Sequence, residues 1–281
     1  MKKTYIIAEI GINHNGSLDI AEKLIKIAAV CGCDAVKFQK RNPDICVPEH
    51  QKGVIRQTPW GEMTYLEYKH QMEFNEKDFY TIEDICWENE ISWSASVWDL
   101  DSLNFMKRWE VPFLKIPSAM LTNDELVSKT AKFCEEVDIK LIVSTGMSTL
   151  EEIDNAVKII TEFGGPRFAL LHCNSTYPAP LEELNLSCIK TLKDRYQCEV
   201  GYSGHEFRLG TSVSAVYLGA SIIERHITLD RSMWGTDQLS SIEPQGLMKL
   251  VSGIRELEKS YGDGEIGVTA SELEVRKKLR E

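Results

Sequence analysis

Short apolar runs alternate with amphipathic segments eight times along the chain, and this alternation constrains the fold more than any other feature. The runs fall at residues 5–11, 35–39, 93–97, 113–116, 141–145, 168–173, 199–203 and 221–227. Between them lie stretches such as 18–30, 76–90, 124–136, 150–163 and 181–196, where apolar residues recur at helical spacing. In 124–136, for example, Leu126, Val127, Thr130, Phe133 and Cys134 share one face. A last helix is expected to start after Glu243-Pro244, with proline in its first turn, and to run to about Ser260. Repeated strand–helix alternation means parallel βαβ units. Eight of them, with no interposed antiparallel block, predict an α/β fold closed into a (β/α)8 TIM barrel rather than an open doubly wound sheet. The 281 residues suit one such barrel, and no linker divides them, so 1–281 reads as a single domain. One long connection, 40–74, carries Trp60, Tyr65 and Tyr68; connections of that length in compact domains tend to be lids or binding loops.

Charge narrows the partners. The formal net charge is −11, against the basic surface that sequence-independent nucleic-acid binding requires. A small anion remains compatible, because a local lysine cluster can hold a phosphate inside an acidic protein. The N-terminal apolar run, Tyr5 to Ile12, is interrupted by Glu9 and does not read as a signal peptide. No stretch approaches a membrane span. The eight cysteines are scattered and read as reduced residues, mostly core, of a cytoplasmic protein with no membrane partner; Cys31-Gly32-Cys33 lacks the second cysteine pair a metal site would need.

TIM barrels keep their chemistry at the C-terminal ends of the strands, and all eight expected ends are polar here. In order they bring Glu9 with Asn13-His14-Asn15-Gly16; Lys37 and Gln39; Ser96; Lys115 and Ser118; Ser144 and Thr145; His172, Asn174 and Ser175; Ser203 and His205; and Glu224 and His226. Lys37 and Lys115 each interrupt a strand that should be buried, and lysine is seldom buried without a partner. A carboxylate such as Glu9 would pair Lys37 structurally; alternatively the two lysines form an anion site, or one is a Schiff-base nucleophile. His205 and His226 end adjacent strands, where two neutral imidazoles can hold a divalent ion with positions left open. The Ser144-Thr145-Gly146 and Gly201-Tyr202-Ser203-Gly204-His205 turns offer N–H groups to a phosphate. His172 reads as a hydrogen-bonded structural residue.

These motifs together resemble the sialic acid synthases, the family that makes N-acetylneuraminate and related nonulosonic acids. The matching strings are Ala8-Glu9-Ile10-Gly11-Ile12-Asn13-His14-Asn15-Gly16, Val36-Lys37-Phe38-Gln39, Phe113-Leu114-Lys115-Ile116, Ser144-Thr145-Gly146-Met147, Leu171-His172-Cys173 with Tyr177-Pro178, Ser203-Gly204-His205, Arg225-His226, Gly235-Thr236-Asp237 and Glu243-Pro244. The resemblance implies a transferase of carbohydrate biosynthesis that condenses phosphoenolpyruvate with an N-acetylmannosamine-like amino-sugar aldehyde. It implies a divalent metal on His205 and His226, Mn²⁺ first with Mg²⁺ or Co²⁺ as alternatives. Glu9, Lys37 and Lys115 would form the catalytic set, with Ser96, Ser118, Ser144 and Ser203 on phosphoenolpyruvate. Asp237 would hold sugar hydroxyls, with Gln39, Ser175 and Tyr177 nearby.

Two departures accompany the resemblance. The family's usual Lys-Ile-Gly-Ser-Gly-Glu reads Lys115-Ile116-Pro117-Ser118-Ala119-Met120 here, so Met120 is expected to bear on the choice of acceptor. Many members also carry a C-terminal antifreeze-like domain; none is expected within this chain, which leaves a homodimer open. Three rival readings are a Schiff-base aldolase, a catalytically silent sugar-binding barrel, and condensation with a different acceptor. A phosphorylated acceptor would need an extra basic pocket, for which only Arg41, Arg56 and Arg231 offer themselves.

Overall fold

The computed structural model describes residues 2–162 and 167–280. Eight parallel strands close into a barrel: Tyr5–Gly11, Ala35–Lys40, Ser92–Val97, Phe113–Ile116, Lys140–Ser144, Phe168–His172, Glu199–Gly204 and Ile222–His226. Each neighbours the next in sequence, and the eighth pairs with the first through Glu9 opposite His226. The expected strands are all present, with ends shifted by a residue or so.

Sequence explains the layering. Along the inward-facing positions, apolar residues sit low and ionisable ones high: Ile7 then Glu9, Ala35 then Lys37, Phe113 then Lys115, Ile222 then Glu224. Ile7, Ala35, Phe113, Ile142, Ala169, Leu171 and Ile222 pack together inside the barrel, a plug that forces the polar positions above them toward one mouth. The alternate residues, among them Ile6, Ala8, Val36, Leu114 and Ile223, face the helices and build the larger core. Gly201 makes the interior fit. A Cβ there would lie 2.5 Å from both the Ile222 carbonyl oxygen and Leu171 Cδ2. Gly201→Ala is expected to destabilise the barrel by about 1–3 kcal/mol through overpacking, read as a lower denaturant midpoint.

The helices follow from apolar stripes and caps. Leu18–Cys31 turns Ala21, Leu24, Ile25 and Ala28 inward and is N-capped by Ser17. Leu150–Thr161 begins with a Thr149/Glu152 capping box; Phe163, its expected last residue, lies outside the described residues. The stretch expected as one helix over 181–196 is instead a 3-10 turn, Leu181–Glu183, followed by a helix over Cys188–Tyr196. Asn185 has φ +42°, a left-handed conformation incompatible with a continuous helix. Pro244–Ser260 runs as expected.

The 40–74 connection is structured rather than bare. It holds helical turns at Pro43–Cys46 and Glu49–Lys52, an antiparallel hairpin (Ile55–Thr58 with Gly61–Thr64) and a helix, Tyr65–Met72. The hairpin is an antiparallel element that the sequence reading did not include, but it stays outside the barrel sheet. Tyr68 and Met72 pack on Ile12 beside Trp234, and Tyr68 and Trp60 both meet the Trp234 ring edge-on, so the segment is a lid pinned to the loop after the eighth strand. The Asn13–Gly16 turn supports it: Asn13 Nδ2 donates to the Ile227 carbonyl at 2.8 Å, and His14 stacks on Phe74 with ring centres 4.0 Å apart. Beyond Ser260, the Ala270–Arg280 helix buries no residue. Among the described residues, no helix is long and apolar enough to cross a membrane, and all eight cysteines are free.

Candidate active site

The barrel mouth encloses a cavity of about 150 Å³. Of the expected site residues, Glu9, Lys37, Gln39, Ser96, Lys115, Ser118, Ser144, Ser175, Tyr177, Ser203, His205 and His226 all line it. Asp237 stands just outside, its Oδ2 3.7 Å from His226 Nδ1. Trp98 and Glu224 line the cavity as well.

Four buried charges form its floor. Lys37 Nζ lies 2.6 Å from Glu9 Oε2 and 3.7 Å from Glu224 Oε2, and donates to Ser96 Oγ at 2.8 Å. Lys115 pairs with Glu224, whose Oε1 also accepts from Ser203 Oγ at 3.0 Å. Strand register brings these groups together: Glu9 lies opposite Lys37, Ser96 opposite Lys115 and Glu224 opposite Ser203. Each buried lysine therefore has the carboxylate partner that a structural pairing requires, and each also lines the cavity. Glu224 was missing from the expected binding set. The signal was present, because it stands two residues before His226 and so shares its inward face.

The two carboxyls differ sharply. Burial pushes Glu9 up to about 7; Lys37 pulls it down and Glu224 pushes it further up, and burial wins. Burial also raises Glu224, but Lys115 and Lys37 together hold it below the usual carboxylate range. Glu224 is thus a fixed anion that positions both lysines, while Glu9 exchanges a proton near neutrality. Burial lowers Lys115.

On the opposite wall, the His205 and His226 rings lie 5.5 Å apart between centres. Burial lowers both to about 3, with the neighbouring His226 adding to the effect on His205, so both are neutral. His205 Nδ1–H donates to the Asn174 carbonyl at 2.5 Å, which leaves the lone pair on Nε2, where the Tyr177 hydroxyl donates at 2.9 Å. His226 Nδ1 is buried without a hydrogen-bond partner. Two neutral imidazoles, one oriented by a backbone carbonyl, fit a divalent ion. Among the described residues, no three His, Cys, Asp or Glu side chains cluster as a metal site, so the histidine pair would leave the remaining positions to oxygen ligands. A buried ion pair anchors this wall from behind: Arg225 NH1 donates to Glu206 Oε1 at 3.0 Å and to Ser212 Oγ at 2.9 Å.

Three other expectations resolve plainly. His172 Nε2 meets the Leu184 carbonyl at 2.7 Å and is structural. The turn after the fourth strand gives Pro117, Ser118 and Ala119 to the cavity wall, whereas Met120 packs against the core outside it; Met120 does not face the cavity. Arg231 is tied to the Ser241 carbonyl.

A family model described as the NeuB family matches residues 24–266. The N,N'-diacetyllegionaminic acid synthase of Campylobacter jejuni is 39% identical over 287 residues, covering 99% of this chain and 85% of its own. The N-acetylneuraminate-9-phosphate synthase of Drosophila melanogaster is 38% identical over 253 residues, covering 89% and 67%. Among solved structures, the N-acetylneuraminic acid (sialic acid) synthetase of Leptospira borgpetersenii superposes with a TM-score of 0.85 at 34% identity, covering 99% of this chain and 93% of that one.

Proposed function

The chain belongs to the NeuB family, and from that premise we propose that it condenses phosphoenolpyruvate with an N-acetylmannosamine-like sugar aldehyde, giving a nonulosonic acid and phosphate. The observation that carries this reading is the cavity floor: two buried lysines and four serine hydroxyls facing a histidine pair and a carboxyl poised near neutrality. Lys37 and Lys115, with Ser96, Ser118, Ser144 and Ser203, hold the phosphate and carboxylate of phosphoenolpyruvate. His205 and His226 hold a divalent ion, Mn²⁺ being the first candidate, which when bound supplies Lewis acidity toward the sugar aldehyde.

The chain's own groups do the rest. The lysines orient phosphoenolpyruvate so that its C3 faces the aldehyde carbon; the C2=C3 π pair forms the C–C bond, the aldehyde π pair moves to its oxygen, which takes a proton from solvent, and C2 is left electron-poor. Water then adds to C2 and gives its proton to Glu9. The bond from C2 to the phosphate-bearing oxygen then breaks, the electron pair leaving with phosphate, as the new C2 hydroxyl becomes the ketone and passes its proton to the departing phosphate. The Schiff-base reading has less support, because it leaves the histidine pair without a role and ties neither lysine to it: Lys37 and Lys115 each sit against a carboxylate, Glu9 and Glu224.

The test is phosphate release from phosphoenolpyruvate, with Mn²⁺ or with chelator, across N-acetylmannosamine, mannose, their 6-phosphates, a diacetamido hexose and arabinose 5-phosphate. Metal-dependent release with an amino sugar supports the proposal; release with arabinose 5-phosphate alone, or with none, overturns it. Lys115→Ala is expected to raise the KM for phosphoenolpyruvate by at least about tenfold, through loss of a charge-assisted contact, with a smaller effect on sugar KM.

A further inference from the structure

Arg41 stands behind the cavity wall, and its contacts reach the cavity through two residues that line it. Side chains alternate along a strand, so Lys37, Gln39 and Arg41 follow one another up one side of the second strand, with Arg41 just past its last residue, Lys40. The third strand runs alongside: Gln39 lies opposite Ser96, and the Trp98 N–H donates to the Lys40 carbonyl at 3.3 Å. This brings the Arg41 guanidinium over the Trp98 ring, 4.6 Å from its centre. Arg41 is 8% exposed, and a guanidinium so buried must be satisfied. Glu73, at the end of the lid helix, supplies the opposite charge. Its Oε1 lies 3.2 Å from Arg41 Nε, and its Oε2 accepts from the Arg41 backbone N–H at 3.3 Å. A further donation goes from the Arg41 guanidinium to Gln39 Oε1. Gln39 and Trp98 line the cavity; Arg41 does not.

That donation settles which way the Gln39 amide faces. Arginine carries donors and no acceptor, so the amide atom beside it is the oxygen, and the nitrogen is turned the other way. Gln39 Nε2 lies 3.3 Å from Glu9 Oε1, and its second N–H is left for an oxygen in the cavity. Gly11 makes room for this contact: it has φ +55°, and a Cβ there would stand 3.2 Å from both Gln39 Nε2 and Glu9 Oε1. Without Arg41 the amide is free to turn over and set its oxygen against the Glu9 carboxyl. We infer that Arg41 is a positioning residue: through Gln39 Oε1 it fixes the Gln39 amide as a hydrogen-bond donor to the cavity beside Glu9, while touching no substrate itself. The inference rests on the proposed condensation only for the oxygen that Gln39 meets, a hydroxyl or amide oxygen of the acceptor. Arg41 reads from the sequence as an isolated basic residue; its spacing of two from Gln39 on a strand is the signal that joins them.

The test is a double-mutant cycle on the whole chain with Mn²⁺ and phosphoenolpyruvate, N-acetylmannosamine being the acceptor. Arg41→Met is expected to raise the acceptor KM about tenfold, the worth of one hydrogen bond, with the KM for phosphoenolpyruvate unchanged. In a Gln39→Ala background the same substitution should add nothing, because residues that act through one contact are not additive. Arg41→Lys keeps the charge and a donor but not the fork; it should recover part of the loss, and it carries the same cycle if Arg41→Met fails to fold. Glu73→Gln, which loosens Arg41 from the lid, should leave the acceptor KM within about threefold. Equal factors in the two backgrounds overturn the inference, as does a Glu73→Gln effect as large as that of Arg41→Met. Crystal structures of the wild type and of the Arg41 variant give a readout that needs no turnover: Gln39 is expected to leave its place beside Glu9 in the variant. An unmoved Gln39 overturns the inference whether or not phosphoenolpyruvate is consumed. A displaced Gln39, in a protein that consumes no phosphoenolpyruvate with any sugar of the panel, upholds the positioning role and overturns the condensation.

Discussion

Replacing His205 and His226 together with alanine is expected to abolish Mn²⁺-dependent consumption of phosphoenolpyruvate, a loss of at least about a thousandfold if Lewis acidity contributes several kcal/mol to the transition state. The same variant should lose Mn²⁺ binding in a calorimetric titration, a readout independent of turnover. Both effects follow from the same geometry. The two imidazoles are neutral, because burial holds each down to about 3, and a neutral imidazole is the form that ligates. The Asn174 carbonyl fixes the tautomer of His205, so a lone pair is presented at Nε2 without rearrangement. Tyr177 now donates to that lone pair and competes with a metal for it. Tyr177→Phe is accordingly expected to leave Mn²⁺ affinity unchanged or raise it, whereas loss of either imidazole lowers it. The fold should survive the double substitution, since both rings sit at the mouth above the apolar plug. Full metal-dependent turnover in the double variant would sink the assignment.

How far the sequence discloses this site depends on which contacts are local. Lys37 is legible because a lysine inside Ala35-Val36-Lys37-Phe38-Gln39 has no solvent to reach and must find a partner; Glu9, at the matching height of the neighbouring strand, is that partner. The histidine pair is legible because the seventh and eighth strands are neighbours in any closed barrel. Glu224 is harder to read. Its importance comes from reaching across the barrel to Lys115, four strands away around the ring, and no periodicity encodes a contact across the interior. Met120 misleads for the opposite reason: the turn after the fourth strand points Ser118 inward, and the residue two further on is carried out to the core. The lid is legible as a long aromatic connection but not as a structure, because its hairpin and helix take their places from Trp234, which is distant in sequence.

Glu9→Gln separates what that carboxyl does for catalysis from what it does for stability. If Glu9 accepts the proton of the attacking water, its ionised form is the active one. Wild-type kcat should then rise with pH and level off above about 7, the value to which burial lifts this group. Glu9→Gln should lower kcat by about a hundredfold to ten-thousandfold, remove that rise, and leave the KM for phosphoenolpyruvate within a few-fold, because Lys37 keeps Ser96 and Glu224 as neighbours. Stability should move the other way. A carboxyl whose folded pKa lies above its unfolded value of 4.5 binds its proton more tightly in the folded state. Its stabilising contribution is complete below about 4.5 and is lost as pH rises through 7. Glutamine stays neutral throughout, so the variant should gain stability relative to wild type as pH climbs from 4.5 to 7, with a constant difference above that. Denaturant midpoints measured across this window, beside kcat over the same range, give the two curves. A pH-independent wild-type kcat, or a variant that loses stability with rising pH, would show that Glu9 is held ionised by Lys37 at all working pH and acts as a fixed charge rather than as the proton acceptor.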